Sequence, residues 1–315
     1  MRPKVIVTRS MPAPVEARME ALFDAELNRL GRAFTREELV DAVTRCDALA
    51  CTVTDRIDAP LLALAVPRLK LIANFGVGTD NIDLAAARAA GIAVTNTPDV
   101  LTEDTADIAM ALILMASRRL GEGERMLRRG AWAGWRPDDF LGSSLAGKTL
   151  GIVGMGRIGQ ALARRARASG LTVRYHNRNP LPDEPAFEPD LDRLVAEADI
   201  LSINAPYGPA THHLIDARCL ALMKPIAILI NTARGALVDQ EALIAALEAR
   251  TIAAAGLDVY PNEPHVDSRL IALETAVLLP HMGSATLETR VAMGNRVADN
   301  ILAFAEGREL PDRVA

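Results

Sequence analysis

Short apolar, β-branched runs alternate with longer stretches rich in Ala, Leu and Glu in the first part of the chain. The runs are KVIVT, ALACTV, LKLIANF and IAVTN, and the stretches between them include residues 37–45 and 84–90. Such runs are typical of strands and such stretches of helices, and strands that alternate with helices form parallel sheets. The pattern therefore predicts an α/β domain built on a parallel sheet.

The alternation begins again after a long helical segment, residues 100–120, which has no proline, acids near its start and arginines near its end, as the helix dipole favours. The second series of apolar runs is TLGIVGMG, LTVRYH, ADILSIN, IAILINTA, AAAGLDV and AVLLP. Residues 288–307 follow with helical composition and no strand partner, so we expect them to pack on the first domain. We predict two Rossmann-like, doubly wound parallel-sheet domains of the α/β class, residues 1–98 with 287–315 and residues 99–286.

The size of the chain agrees with two domains, and its charge indicates which kinds of partner it binds. Its 315 residues are too many for one ordinary core, since single domains run to about 100–200 residues. A formal net charge of −5 argues against a surface built for nucleic acid or for an anionic membrane. The longest apolar run, IAMALILMA, is far shorter than the ~20 residues that cross a bilayer, and the first residues lack the features of a signal peptide. We therefore expect partners that are small molecules.

The three cysteines, Cys46, Cys51 and Cys219, have neither the spacing of a metal site nor that of a disulfide framework. Such usage fits a reducing compartment, where a buried thiol behaves as a small apolar side chain. The sequence thus predicts a cytoplasmic protein without a metal site.

A glycine-rich turn follows the first apolar run of the second domain. Gly154, Gly156 and Gly159 fit the spacing GxGxxG, with LGIV before them and the helix-forming run QALARRARAS after them. In that context glycines let the backbone approach a pyrophosphate at a helix N-terminus. The alternative is a turn that only packs a strand on a helix. We interpret the motif as a dinucleotide-binding turn.

The end of the next strand indicates which dinucleotide is bound. NAD-binding units usually place Asp or Glu there, about twenty residues after the glycines, to bond the ribose hydroxyls. This chain has YHNRN instead, so that Asn177 and Arg178 stand where the acid is expected. An arginine holds a 2′-phosphate through its fork of donors, whereas a carboxylate repels it. The sequence favours NADPH, unless Arg178 is only a solvated loop charge.

Three chemically active residues follow later strands of the second domain: Arg234 after AILIN, Glu263 after AAGLDV and His281 after AVLLP. Ligands of parallel sheets bind at the carboxyl ends of strands. Hydride transfer to a carbonyl needs a cation for the substrate's oxygens and an acid for the new alkoxide, and a carboxylate beside a histidine favours its acid form. Each residue taken alone has an equally good structural explanation. Arg234 would form a surface ion pair, Glu263 would cap a turn, and His281 would be a buried core residue.

Several ordered segments carry a resemblance to one family. GIVGMGRIGQALA, LINTARGALVD, AAAGLDVYPNEP and LPHMGSAT resemble the motifs of the D-isomer-specific 2-hydroxyacid dehydrogenase family. NFGVGTDNID and LTEDTADIAMALI look like the same family, so the resemblance spans nearly the whole chain. Within the family, HNRN and GAWAGWRPDDFLG are most similar to the glyoxylate and hydroxypyruvate reductases.

The resemblance implies a role for each matching residue. Arg234 would bind the carboxylate and carbonyl of a small 2-keto acid, His281 would donate the proton as the acid is reduced to a 2-hydroxy acid, and Glu263 would orient and tune His281. The N–H groups of Val77 and Gly78 would hold the substrate carboxylate, a use that glycine permits. The residues expected to bind the dinucleotide are Gly154, Gly156, Arg157, Ile158 and Gly159 at the pyrophosphate, Asn177 and Arg178 at the ribose, and Thr105, Ala233, Asp258, His281 and Gly283 around the nicotinamide.

The resemblance also implies how the two domains divide the work. The first, discontinuous domain would bind substrate on a flavodoxin-like fold, the second would bind NADP(H), with NAD(H) as the alternative, and the active-site cleft would lie between them. An arm around residues 118–146 would form a homodimer. Within it, Trp132 or Trp135 would either line the partner's substrate site or form a plain dimer contact.

Two other interpretations stay open, because a fold does not fix a function. A family dehydrogenase of different substrate, phosphite or a bulkier D-2-hydroxy acid, would carry the same fold. A corepressor-like protein would keep the fold and use dinucleotide occupancy to control a partner. Neither the physiological keto acid nor the physiological direction follows from the sequence.

Overall fold

The computed structural model describes residues 2–315, which divide into two compact units. The smaller unit is the chain up to Leu101 together with Ser284–Ala315, and the larger unit is Thr102–Gly283. The predicted junctions, after residues 98 and 286, lie a few residues from these. Each unit contains one parallel sheet with helices, so the predicted pair of α/β domains is confirmed.

The smaller unit is built on a five-stranded sheet with the order β2-β1-β3-β4-β5, which is the flavodoxin-like order. Its elements are β1 (Lys4–Val7), α1 (Ala13–Leu22), β2 (Asp24–Leu27), α2 (Arg36–Arg45), β3 (Ala48–Thr52), α3 (Ala59–Ala65), β4 (Leu71–Phe75), α4 (Leu84–Ala89) and β5 (Ala93–Thr95). Strands β1, β3 and β4 are almost entirely buried, as expected where helices cover both faces of a parallel sheet. The order of strands reverses between β1 and β3, so their carboxyl ends are where such sheets bind ligands.

The larger unit carries a six-stranded sheet with the order β11-β10-β9-β8-β6-β7. Its elements are α5 (Thr102–Ser117), α6 (Leu120–Arg128), β6 (Thr149–Val153), α7 (Arg157–Ala168), β7 (Thr172–His176), α8 (Leu191–Glu197), β8 (Ile200–Ile203), α9 (Ala217–Leu222), β9 (Ile228–Asn231), α10 (Gln240–Glu248), β10 (Ala254–Leu257), α11 (Ser268–Ala272) and β11 (Ala276–Leu278). Side chains on its two faces enter two separate apolar cores, for example Val153 in one and Ile152 in the other. Burial on both faces explains why these strands read as continuous apolar runs in the sequence.

The last helix, α12 (Leu287–Ala305), returns to the smaller unit and packs on α1 and β4. A Cβ on Gly294 would overlap the side chain of Val15, so only glycine permits this approach. Arg18 of α1 donates hydrogen bonds to Asn295 Oδ1 at 3.0 Å and to Asp299 at 2.6 Å. The helical composition predicted for residues 288–307 therefore corresponds to a helix that covers the first sheet.

Two elements differ from the prediction. The strand Asp24–Leu27 was not predicted, because its sequence DAEL has no β-branched residue and it pairs only with β1, at the edge of the sheet. The single helix predicted over residues 100–120 is wrong at its end, since α5 stops at Ser117 and α6 starts at Leu120. Arg119 lies between them with a left-handed φ of 54° and pairs with Glu122 in the first turn of α6 at 2.7 Å.

Across residues 2–315, no helix combines the length and the apolar character that crossing a membrane would need. Within the same range, no three or more His, Cys, Asp or Glu side chains are grouped so that they would hold a metal ion. All three cysteines are buried and unpaired.

Candidate active site

The glycine-rich turn joins β6 to α7, and each glycine has its own steric reason. Gly154 has a φ of 98°, and a Cβ on it would lie 2.5 Å from the backbone nitrogen of Ala205. A Cβ on Gly159 would lie 2.5 Å from the carbonyl oxygen of Gly154, so this glycine lets α7 pack on the turn. Nothing lies within 4 Å of a Cβ placed on Gly156. The open side of the turn is therefore at Gly156, where α7 begins.

The N-terminus of α7 fits a pyrophosphate. Gly156 occupies the N-cap position without a side chain to cap the helix, and over residues 2–315 the N–H groups of Gly156 and Ile158 have no acceptor. The turn itself is held from behind, because Met155 N–H donates to Asn177 Oδ1 at 2.8 Å. Free N–H groups at the positive end of a helix dipole form an anion site, so this turn suits the phosphates of a dinucleotide.

Arg178 follows the end of β7 and is exposed. In the described part of the chain it makes no hydrogen bond or ion pair. Asn177, the neighbouring candidate, already accepts a hydrogen bond from the glycine turn. The sequence did not predict this link between the turn and the end of β7. Arg178 is thus the side chain at this strand end that is available to an anionic ligand.

The histidine and the glutamate predicted from separate strands meet. His281 Nδ1 lies 2.7 Å from Glu263 Oε2, and Glu263 Oε1 accepts a hydrogen bond from Tyr260 N–H at 2.9 Å. Both carboxylate oxygens are therefore in use, which fixes the carboxylate and the imidazole ring. Since Nδ1 faces Glu263, Nε2 is the ring nitrogen left to exchange a proton with another molecule.

Burial alone would raise the pKa of the Glu263 carboxyl. The hydrogen bond and charge of His281, the N–H of Tyr260 and the charge of Arg234 act more strongly in the other direction, and together they hold this pKa below its ordinary value. Glu263 therefore stays ionised at neutral pH beside the imidazole. Arg234 belongs to the same electrostatic cluster.

Arg234 lies in the loop after β9, and a residue that sequence reasoning missed holds this loop. Asn231, fully buried at the end of the strand, accepts from Ala233 N–H at 3.0 Å and donates through Nδ2 to the carbonyl of Arg234 at 2.8 Å. A Cβ on Gly235 would overlap the backbone of Tyr260, so the loop of Arg234 lies directly against the loop of Glu263. The sequence shows this Asn at the end of the apolar run AILIN, which marks the residue but not the loop that it bonds.

Asp258 holds the loop that carries His281. Its two carboxylate oxygens accept hydrogen bonds from Met282 N–H and Gly283 N–H, each at 2.8 Å. Burial raises the pKa of this carboxyl, and the two N–H groups oppose that effect without cancelling it. Thr105 Oγ1 donates to the carbonyl of Gly283 at 3.2 Å, so four of the residues expected near the nicotinamide meet around this loop. Their contact with a cofactor stays a prediction.

Val77 and Gly78 lie in the smaller unit, in the loop that follows β4. Their N–H groups have no acceptor among residues 2–315. The predicted binding of a substrate carboxylate by these groups stays a prediction.

A dinucleotide turn, an arginine and a histidine–carboxylate pair on loops of one parallel sheet are the parts of a nicotinamide-dependent dehydrogenase. Comparison with known families agrees, since the model of the D-isomer specific 2-hydroxyacid dehydrogenase NAD binding domain matches residues 110–283. The chain belongs to this family, as its motifs predicted, and is an NAD(P)-dependent hydroxyacid dehydrogenase that takes a nicotinamide dinucleotide as cofactor.

Known proteins are similar to this chain over its whole length. The chain is 47% identical to a glyoxylate reductase of Thermococcus litoralis, over 100% of this chain and 97% of the relative. A second glyoxylate reductase, from Aeropyrum pernix, is 44% identical over 99% of this chain and 96% of its own length. The crystal structure of an NADPH-dependent glyoxylate/hydroxypyruvate reductase from Sinorhizobium meliloti, in complex with NADP and malonate, is similar with a TM-score of 0.89 at 37% identity, covering 100% of this chain and 97% of that one.

The close approach at Gly235 generates a test. Gly235→Ala would place a methyl group in the backbone of Tyr260 and displace the loops of Arg234 and Glu263 from each other. Because misplacing reacting groups by about 1 Å costs on the order of a hundredfold in rate, we expect kcat/KM to fall by roughly that factor while dinucleotide binding is retained. Steady-state kinetics and cofactor titration measure both quantities. Gly208→Ala, at an open position, is the control, and equal activity of the two variants would contradict the assignment.

Proposed function

We propose that this protein reduces small 2-keto acids, glyoxylate and hydroxypyruvate, to 2-hydroxy acids with a preference for NADPH. The 2.7 Å contact between His281 Nδ1 and Glu263 carries the proposal, because it leaves one imidazole nitrogen directed away from an ionised carboxylate. That arrangement suits a proton donor that must be charged before the reaction and neutral after it.

Each residue of the site then has a definite task. The guanidinium of Arg234 binds the carboxylate and the carbonyl oxygen of the keto acid, and the free N–H groups of Val77 and Gly78 bind its carboxylate. When bound, NADPH supplies the hydride that the carbonyl carbon receives. His281 gives the proton on Nε2 to the carbonyl oxygen, so that the C=O bond becomes CH–OH, and Glu263 stabilises the imidazolium until that proton leaves.

The preference for NADPH rests on Arg178. This arginine is exposed and without a partner in the described residues, and no Asp or Glu stands beside it in the run YHNRN. A guanidinium there attracts a 2′-phosphate, whereas the Asp or Glu of NAD-binding units repels one. Asn177 contributes by holding the glycine turn through Met155.

The proposal predicts rapid loss of NADPH absorbance when purified protein is offered glyoxylate or hydroxypyruvate, and slower loss with NADH, pyruvate or phenylpyruvate. Arg178→Ala should weaken NADPH by roughly tenfold or more and leave NADH unchanged, since the charged hydrogen bonds to the 2′-phosphate are lost. Arg88→Ala changes another exposed arginine, in α4 of the smaller unit, and should leave the affinity for both cofactors unchanged.

An unchanged ratio of NADPH to NADH in Arg178→Ala would remove the basis for the preference. Turnover of phosphite or of bulky acids alone would assign the chain another substrate in the same family. Absence of turnover with every one of these acids, together with tight binding of a protein partner, would favour the corepressor-like alternative.

The low pKa of Glu263 predicts the pH dependence of the reduction. Wild-type Glu263 stays ionised throughout the neutral range, and it favours the protonated imidazole that reduction requires. Because its pKa is lowered, wild-type Glu263 should lose its charge, and the enzyme its activity, only when the pH falls below the ordinary range of a glutamate; Glu263→Gln has no carboxylate to protonate, so its lower activity should lack this loss on the acid side. The profile of kcat/KM against pH measures this, with Glu248→Gln, an exposed acid at the end of α10, as the control. A superimposable profile at reduced height would contradict the tuning role.

We also propose that the chain forms a homodimer through the arm around residues 118–146. Leu127, Trp135 and Leu141 of this arm are 61%, 81% and 68% exposed, which is unusual for large apolar side chains so close in sequence. Aromatic residues of this kind anchor protein interfaces. Trp132, also exposed, is the other candidate for contact with the partner's site.

Light scattering should give twice the 33.8 kDa of one chain for the wild type. The double variant Leu127→Glu/Trp135→Glu should give the mass of a single chain, because two charges would be buried in the contact. Ile271→Glu, which changes an equally exposed residue of α11, should remain dimeric. A monomeric wild type would refute the proposal.

A further inference from the structure

In the loop after β4, three consecutive carbonyl groups are engaged by hydrogen bonds. Asn74 Nδ2 donates to the carbonyl of Gly78 at 2.8 Å and to that of Gly76 at 3.3 Å. Asn96 Nδ2 donates to the carbonyl of Val77 at 2.8 Å. Two side-chain amides thus bind these three carbonyl oxygens.

The orientation of the Asn74 amide follows from its other neighbours. Its Oδ1 faces Cys51 Sγ at 3.5 Å and Asn81 Nδ2 at 3.4 Å, and both of these groups are donors. The amide nitrogen must therefore point to the loop carbonyls. Asn74 is fully buried, so this choice is enforced by the protein and not by solvent.

The loop is also pressed against its own sheet. A Cβ on Gly76 would lie 2.6 Å from Val53 Cγ1, so glycine is needed for the backbone to sit this close. Thr97 N–H also donates a hydrogen bond to the carbonyl of Gly76, at 3.1 Å. Close packing and hydrogen bonds thus hold the backbone of this loop at Gly76.

We propose that Asn74 and Asn96 are positioning residues that make this loop a pure N–H donor for the carboxylate of the keto acid. A carbonyl oxygen that turned toward the carboxylate would repel it, and the two amides prevent such a turn by binding those oxygens. The N–H groups of Val77 and Gly78 then remain without an acceptor and face no competition. The inference rests on the proposed function, since it assigns these residues to the substrate of that reaction.

The test uses Asn96→Ala and Asn74→Ala, which remove a donor without adding charge. We expect the KM for glyoxylate to rise roughly tenfold, because a displaced loop loses a hydrogen bond from its N–H groups to the substrate carboxylate. The kcat should change much less, and the Kd of NADPH should be unchanged. The dissociation constant of oxamate, a non-reacting analogue of a keto acid, should rise by the same factor in calorimetry with NADPH present.

Asn28→Ala is the matched control. Asn28 is a buried asparagine of the same unit whose Nδ2 donates to the carbonyls of Thr8 and Arg32 at 2.6 and 2.9 Å. The variant Asn28→Ala should lose as much thermal stability as Asn74→Ala, but its KM and its affinity for oxamate should stay at the wild-type values. Asn96 is only half-buried, so its variant carries the test if Asn74→Ala does not fold.

Unchanged KM and oxamate binding in folded Asn96→Ala would overturn the inference, as would an equal loss of NADPH affinity. Failure of the proposed function is distinguishable from this. A wild type that binds oxamate but reduces no keto acid refutes the proposed reaction, and the oxamate affinities of the variants still decide the role of the two asparagines. A wild type that does not bind oxamate overturns both.

Discussion

The buried carboxylate of Asp258 stabilises an unusual backbone conformation at His281. His281 has a φ of 52°, a left-handed conformation that costs a residue with a Cβ on the order of 1–3 kcal/mol. The next two N–H groups, of Met282 and Gly283, both donate to Asp258 and over-determine the turn. The contact between His281 and Glu263 depends on this turn, because the imidazole is aimed by the backbone that carries it.

The same device recurs at other strand ends. The loops that follow parallel strands contain backbone groups without ladder partners, and these groups need hydrogen bonds when they are buried. Asn231 at the end of β9, Asp258 after β10 and Asn74 within β4 supply them from side chains. Each side chain therefore connects a loop that carries candidate site residues to the sheet. Such hydrogen bonds fix the position of those residues.

How far the sequence predicted the molecule depends on the range of the interactions involved. Apolar runs and the glycine spacing are local signals, and they placed β6, the turn at Gly154 and the strands that carry Arg234 and His281. The split between α5 and α6 was not predictable, since it turns on the left-handed φ of Arg119, a residue without a preference for it. Nor were the roles of Asn231 and Asn74, because a polar residue at a strand end gives no sign of which loop it bonds.

The two kinds of anchor differ in a way that follows from what each loop has to present. The loop of His281 presents a side chain, and its anchor, Asp258, binds N–H groups, since only the direction of the imidazole matters there. The loop of Val77 and Gly78 presents its own backbone, and its anchors are amides that bind carbonyl oxygens. A carboxylate at position 74 could not do this, because it has no proton to donate to a carbonyl and would itself repel an anionic substrate. The difference between Asp258 and Asn74 therefore follows from whether the loop presents a side chain or its own N–H groups, whereas Asn231 binds both an N–H and a carbonyl of the Arg234 loop.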